Sequence, residues 1–100
     1  MPVLVTADIP GQTTAGYDGL LAALCDALRQ SKGFIAHFAM PAASGWTCME
    51  LWETQQDANE FFARHVHPIL PPGIKPRRSF TPLHSLVQPP AGVAAEVAAE

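Results

Sequence analysis

The sequence predicts an α+β fold: one domain of element order βαββαβ, with an antiparallel four-stranded sheet and both helices on one face. Three observations support it, namely two segments with helical spacing of apolar residues, four short strand-like segments, and turn or stop signals between them. Two strand–helix–strand units in succession form the split βαβ arrangement. We expect this domain to cover residues 1–88 and a flexible, low-complexity tail to cover residues 89–100.

The first half of the domain contains a strand and a well-marked helix. Residues 3–8 are apolar and β-branched, and a Pro-Gly turn signal follows them. Thr13 or Thr14 can cap a helix whose apolar side chains recur at helical spacing until about Gln30. Gly33 then occupies the position of a C-terminal stop. The sequence therefore predicts a strand, a turn and an amphipathic helix in this order.

Residues 34–40 and 46–53 are predicted to form a β-hairpin, because a short loop containing Gly45 joins them. The second strand carries large side chains on both faces, so both faces must be covered. The helices can cover one face, and we expect a second copy of the chain to cover the other. The sequence thus predicts a homodimer. The two faces carry Trp46, Cys48 and Trp52 on one side and Thr47, Met49 and Leu51 on the other.

The second half of the domain is predicted to contain a helix and a last strand. Thr54 begins a segment resembling a capping box, and the apolar stripe after it predicts a helix that ends near His67, before Pro68. Residues 80–87 are predicted to form the last strand. Pro82 lies within it and lacks a backbone N–H, so this strand is expected at a sheet edge or at a bulge.

Composition and charge argue against several functional classes. The net charge is −3, and the basic residues are too few for nucleic-acid binding. We interpret the short cluster Lys75, Arg77 and Arg78 as a solvated or interface loop. Cys25 and Cys48 lack metal-type spacing and are expected to be reduced, small apolar side chains. Without a membrane-length apolar run or a recognisable signal peptide, we expect a cytoplasmic protein with no membrane partner.

A set of glycine, proline, aromatic and histidine positions across residues 2–88 points to a known family. In these positions the chain resembles the antibiotic biosynthesis monooxygenase-type proteins of the dimeric α+β barrel superfamily. The resemblance implies a ferredoxin-like protomer whose sheet packs on a second copy, with a cavity between sheet and helices. The matching positions are Gly33-Phe34, His37, Gly45-Trp46, Trp52-Glu53-Thr54, Phe61-Phe62, Pro68, Gly73, Pro76 and Pro82-Leu83-His84.

The resemblance leads to one main hypothesis about activity and leaves others open. Some members of the superfamily oxygenate aromatic polyketides without metal or flavin, some degrade haem, some cyclise polyketides, and some have no known activity. The main hypothesis is a cofactor-independent monooxygenase acting on an aromatic or polyketide-like small molecule, with no metal. The alternatives are a polyketide cyclase or isomerase, a non-catalytic ligand-binding dimer, and a haem-binding protein. Haem-degrading relatives carry an Asn in the first strand, where this chain offers only Thr6 and Asp8.

His37 is the first catalytic candidate because it lies within an otherwise apolar strand. If the hairpin loop centres on Ala43-Ser44, then Glu50 lies opposite His37 on the same sheet face. A carboxylate there can fix the imidazole tautomer and leave the second ring nitrogen free for a ligand. The structural alternative is a His–Glu pair buried between sheets, and a slip of one residue would put Leu51 opposite instead.

The remaining candidates are spread over the chain. His65 belongs to the apolar stripe of the second helix and is the second catalytic candidate; Trp52, Phe62 and His84 are candidates for substrate contact together with Glu50. Each also has a structural interpretation, because aromatic side chains fill cores and a histidine can satisfy a backbone group. No sequence pattern brings these side chains together at one site.

Overall fold

A computed structural model describes residues 1–90, so nearly all of the predicted tail lies outside the described residues. The domain boundary at residue 88 stays a prediction. The order βαββαβ and the antiparallel four-stranded sheet confirm the predicted fold class, with strands ordered β2-β3-β1-β4. Within residues 1–90, no helix has the length and apolar character needed to cross a membrane. The elements are β1 (Val3–Pro10), α1 (Thr14–Gln30), β2 (Phe34–Ala42), β3 (Gly45–Trp52), α2 (Gln55–Phe61) and β4 (Arg77–Pro82).

Both helices begin at the threonine caps that the sequence predicts. The Thr13 hydroxyl accepts the third N–H of α1, and the Thr54 hydroxyl accepts the N–H of Asp57, each at 3.0 Å. The second helix ends earlier than predicted. After α2 the chain continues in helical form through a π-helical turn and then a 3-10 turn that contains Pro68.

A β-bulge in β2 decides which sheet face His37 occupies. Phe34 is paired with β3 and Ala36 resumes the pairing, so Ile35 is an extra residue in β2. Side chains alternate between the two faces of a strand, so one inserted residue reverses the alternation. Phe34 and His37 therefore both face the helices although an odd number of positions separates them. Beyond the bulge, His37 pairs with Glu50, which confirms the predicted hairpin register.

The last strand, β4, is displaced toward the N-terminus from the prediction. It spans Arg77–Pro82, and not residues 80–87. It pairs with β1, whose first residue is Val3, so β1 offers no pairing partner to residues after Pro82. The predicted edge position is confirmed, because β4 is the outer strand next to β1. His84 consequently lies beyond the strand and is exposed, which corrects its predicted place within it.

The core forms between one sheet face and the two helices. Trp52 at the end of β3 is fully buried, and its ring lies edge-on to Phe34 and tilted against Phe61. Burial of an aromatic side chain of this size stabilises a small domain by roughly 2–3 kcal/mol. The buried cluster around it consists of Val3, Val5, Leu28, Ala58 and Phe61.

The opposite sheet face is left open by both helices. Phe38 and Met40 of β2 are 44% and 38% exposed, which is unusual for large apolar side chains. Met49 pairs with Phe38 and shares that face, in agreement with the two-sided apolar character predicted for β3. We call this surface the open face. It is defined by Leu4, Ala36, Phe38, Met40, Met49 and Leu51.

Candidate active site

A cavity of about 110 Å³ lies between the sheet and the helices. Its wall is largely apolar, because α1 and the turn after α2 direct their aliphatic side chains toward the sheet. An apolar cavity of roughly 150 Å³ can hold benzene, so this space is close to the size of one small ring. A few polar groups interrupt the apolar wall. Apolar lining comes from Ala7, Leu20, Leu24, Val66 and Leu70.

Four polar side chains form a continuous hydrogen-bonded chain beside the cavity. The Tyr17 hydroxyl is 2.7 Å from Nε2 of His37, and Nδ1 of His37 is 2.8 Å from Oε2 of Glu50. The second oxygen of Glu50, Oε1, accepts the indole N–H of Trp52 at 2.9 Å. Tyr17 comes from α1, while His37 and Glu50 are cross-strand neighbours in the hairpin. Helix and hairpin thus build the chain together.

The partners of His37 determine its tautomer. The Glu50 carboxylate only accepts hydrogen bonds, so Nδ1 of His37 carries the ring proton and Nε2 is the acceptor. The Tyr17 hydroxyl therefore donates to Nε2. The Trp52 indole is only a donor and holds the carboxylate in place from its other side. This is the arrangement of a base oriented by an acid, with a hydroxyl group bound to the base.

Tyr17 is held as a neutral hydroxyl in this arrangement. Burial raises the pKa of Tyr17 to about 12, and the negative charges of Cys48 and Glu50 add to the effect. Its ring stacks at 5.3 Å on Trp46 and at 6.1 Å on His37, measured between ring centroids. The hydroxyl can therefore donate or relay a proton near neutral pH, but a stable tyrosinate is strongly disfavoured.

Two further groups in the wall affect what the cavity can do. Burial raises the pKa of the Cys48 thiol to about 11, so this cysteine is a poor nucleophile near neutral pH. Gln12 is 8% exposed; its Oε1 accepts the N–H of Thr13, while its buried Nε2 has no hydrogen-bond partner among residues 1–90. The backbone bond fixes which end of the amide is the oxygen. Nε2 is thus an unused donor in the cavity wall.

Arg78 brings a positive charge to the cavity. It lies in β4 and lines the cavity, and the guanidinium carbon is 4.1 Å from the centre of the Phe62 ring. This corrects the interpretation of the basic cluster as a solvated or interface loop for Arg77 and Arg78, which belong to a strand, while Lys75 does lie in an exposed loop. Alternation places Arg78 on the helix side of the sheet and Arg77 on the other.

The structure brings only half of the predicted site residues to the cavity. His37, Glu50 and Phe62 line it.

The other three candidates lie elsewhere. Trp52 is sealed in the core with no exposed surface, so it reaches the site only through its bond to Glu50. His65 lines a separate polar depression of about 350 Å³ between the end of α1 and α2. His84 is exposed beyond β4. No group of three or more His, Cys, Asp or Glu side chains in the described chain is placed to hold a metal ion.

Tyr17, Gln12 and Arg78 are three polar residues of the cavity wall that the sequence interpretation did not assign to a site. Tyr17 had a usable signal, since a polar ring in an otherwise aliphatic helix stripe is a candidate for contact with a buried polar group. Gln12 follows the turn after β1 and carries no recognisable pattern. The pairing register of β4 with β1 is needed to place Arg78 on the helix side of the sheet, and the sequence does not give that register.

Comparison with known structures supports the fold assignment. The chain is similar to SnoaB, a cofactor-independent oxygenase from Streptomyces nogalater, with a TM-score of 0.58, 10% sequence identity, and coverage of 86% of this chain and 95% of SnoaB. A single-residue mutant of SnoaB gives a TM-score of 0.60 at the same identity and coverage. The sequence itself matches no family model and no curated protein. This similarity in fold confirms the predicted ferredoxin-like α+β architecture.

Proposed function

We propose that this protein is a cofactor-independent oxygenase-like enzyme that removes a proton from an aromatic or polyketide-like small molecule. The observation that carries the proposal is the hydrogen-bonded chain from Tyr17 through His37 to Glu50 beside an apolar cavity. The similarity in fold to a cofactor-independent oxygenase supports the reaction class. In this proposal the deprotonated substrate itself reacts with oxygen.

Proton removal uses the polar chain as a relay. An acidic O–H or C–H of the substrate gives its proton to the Tyr17 oxygen while the Tyr17 proton passes to Nε2 of His37. Because one proton arrives as the other leaves, Tyr17 does not become a free tyrosinate, which its raised pKa disfavours. The imidazolium that forms on His37 is stabilised by the Glu50 carboxylate beside Nδ1.

The oxidation step draws its electrons from the substrate. The carbanion or phenolate passes one electron to oxygen, and the two radicals combine to form a peroxide anion. This anion takes the proton back from His37 through Tyr17 and becomes a hydroperoxide, and loss of water then leaves a carbonyl. In total, a methylene group and one molecule of oxygen become a carbonyl group and one molecule of water, so no external reductant is needed. The apolar wall contributes by excluding water from the anion and the radicals.

The proposed assembly is a homodimer formed through the open face, in the cytoplasm. The exposed Phe38 and Met40 side chains support pairing of two sheets, because a contiguous apolar surface is commonly covered by a partner. The cavity lies on the helix-covered face of the sheet. Association of two chains through the open face would therefore leave the aliphatic wall of the cavity unchanged.

The experiment measures oxygen uptake and proton exchange separately. Purified protein is incubated with phenolic and 1,3-dicarbonyl compounds of one or two rings, and oxygen consumption is followed with an electrode. We expect His37→Ala to lower kcat by about 10²–10⁴-fold, the usual contribution of a general base. His84→Ala is the matched control, because His84 is an exposed histidine beyond β4 and outside the cavity.

Anaerobic incubation in deuterated water identifies the alternatives. The proposal requires exchange of the acidic substrate hydrogen without oxygen, and consumption of oxygen when it is admitted. Exchange with no oxygen uptake would favour a cyclase or isomerase that uses the same base. An unchanged rate in His37→Ala would rule out the relay.

A further inference from the structure

Arg78 is a cationic side chain placed at the wall of a largely apolar cavity. In β4 it pairs with Ala7 of β1, and both residues line the cavity. Arg77, the preceding residue, is exposed on the other side of the same strand. Arg78 is half-buried, and taking a charge partly out of water costs free energy unless a partner compensates it.

Three contacts within the chain orient the guanidinium of Arg78. It lies 4.1 Å from the centre of the Phe62 ring and 5.0 Å from the centre of the Phe80 ring, within the range of cation–π attraction. One of its N–H groups donates to Oδ1 of Asn59 at 3.2 Å. Two rings and one amide therefore orient a planar group that matches the geometry of carboxylate oxygens.

Most of the donor capacity of Arg78 is unused by the protein. A guanidinium has five N–H donors, and among residues 1–90 the only side-chain acceptor it meets is that of Asn59. No Asp or Glu carboxylate of the described chain forms an ion pair with it. Glu50, the acid in the same wall, is already bonded to His37 and Trp52.

The positive charge of Arg78 is only partly exposed to solvent. Burial lowers the pKa of Arg78, and the charge of Glu50 opposes this effect. An anionic oxygen in the cavity would supply the missing counter-charge and accept the free N–H groups.

We propose that Arg78 binds a carboxylate of the ligand, so that the molecule held in the cavity is an aromatic or polyketide-like acid and not a neutral aromatic. This inference rests on the proposed function and narrows its substrate class. The aliphatic wall takes the ring, whose size suits a space of about 110 Å³, and Arg78 takes the acid group. The relay through Tyr17 and His37 then acts on a substrate that is already oriented.

The test compares two probes of nearly equal shape, benzoate and benzamide, together with the pair 2-naphthoate and 2-naphthamide. Binding to the full chain is titrated by calorimetry or by NMR chemical shifts at low ionic strength. We expect each acid to bind roughly tenfold or more tightly than its amide, as for a charge-assisted hydrogen bond. Equal affinity of acid and amide, or no binding of either acid at millimolar concentration, would overturn the inference.

Variants at two adjacent positions of β4 separate a local effect from a general one. Arg78→Gln is expected to abolish the preference for the acid, and Arg78→Lys to retain only part of it, because lysine keeps the charge but not the planar group. Arg77→Gln removes the same charge from the opposite face and is expected to leave the preference unchanged. If Arg78→Gln fails to fold by circular dichroism, the Arg78→Lys result decides. If Arg77→Gln and Arg78→Gln weaken the preference for the acid to a similar extent, the inference is contradicted.

Binding without turnover separates this inference from the proposed function. The preference for the acid is expected to persist in His37→Ala, which the relay predicts to be inactive. A native protein that prefers acids but takes up no oxygen with any of the substrates tested would disprove the oxygenase proposal and leave the acid-binding role of Arg78 intact.

Discussion

Glu50 accepts a hydrogen bond on each of its carboxylate oxygens, one from Nδ1 of His37 and one from the Trp52 indole. The Glu50 carboxylate therefore links the catalytic candidate, His37, to Trp52 at the centre of the core. His37 is thereby tied to the most buried residue of the domain, and its ring orientation depends on core packing as well as on the hairpin.

Replacing Glu50 by Gln tests this relationship. A Gln side chain offers one oxygen and one NH₂ group, so it cannot accept from both His37 and Trp52. We expect kcat to fall by about 10²-fold or more while KM changes little, because the imidazolium loses its stabilising charge. Measurement of both constants, with ¹⁵N NMR of the His37 ring, checks this. A normal kcat together with an unchanged Nδ1–H signal would show that the carboxylate charge is not needed.

Alkaline titration tests the environment of Tyr17, which is the only tyrosine in the chain. The increase in ultraviolet absorbance on ionisation therefore reports this residue alone. We expect a midpoint near pH 12 in the folded protein and near the ordinary value of 10.0 in urea. A midpoint near 10.0 in the folded protein would mean that the hydroxyl is not buried against His37.

The same titration has a consequence for stability. Tyr17 and Cys48 hold their protons more tightly when folded, with pKa values raised from 10.0 to about 12 and from 9.0 to about 11. Above pH 9 the unfolded chain loses these protons first, so the free energy of unfolding falls as the pH rises through 9–12. Urea denaturation at several pH values measures this fall. Cys48→Ser with Tyr17→Phe should flatten the curve in this range.

Replacing Gly45, the glycine of the hairpin turn, is predicted to lower the stability of the fold. A Cβ atom at this position would clash with the carbonyl oxygen of Ile9, a backbone atom that cannot move without disturbing β1. We expect Gly45→Ala to destabilise the fold by about 1–3 kcal/mol or more. Gly11→Ala is the control, because Gly11 also has a positive φ but no atom near its Cβ. Urea denaturation should therefore show a larger loss for Gly45→Ala than for Gly11→Ala.

Phe38 tests the proposed pairing of two chains. Phe38→Glu puts a charge in the centre of the open face, where burial against a partner would cost several kcal/mol. We expect size-exclusion chromatography with light scattering to show the mass of two chains for the native sequence and of one chain for Phe38→Glu. Ala23→Glu, on the exposed side of α1, should leave the mass unchanged. A native protein with the mass of one chain at micromolar concentration would refute the dimer.

The sequence predicts the parts of the fold that depend on local patterns. Both helix caps and the pairing of His37 with Glu50 follow from residues close together in the chain, because a capping threonine and a short hairpin loop act locally. His37 and Glu50 are the one pair of polar site residues whose contact the sequence predicts.

The rest of the site depends on contacts between distant segments. The bulge at Ile35 reverses the alternation of β2, and an apolar residue there carries no signal for it. Tyr17 approaches His37 only because α1 packs across the hairpin. Arg78 faces the cavity because β1 fixes the register of β4. A linear pattern contains none of these packing relationships.

Alternation along the strands also makes the two surfaces of the sheet separately adjustable. Cys48 and Arg78 face the cavity, while Thr47 and Ser79, one position away, face the other side. Directed evolution can therefore randomise the cavity-facing positions to seek new ligands without altering the surface proposed for association. Positions on the opposite face can in turn be redesigned to change association without changing ligand preference. The cavity-facing and opposite-facing positions nevertheless alternate within the same short stretches of the gene.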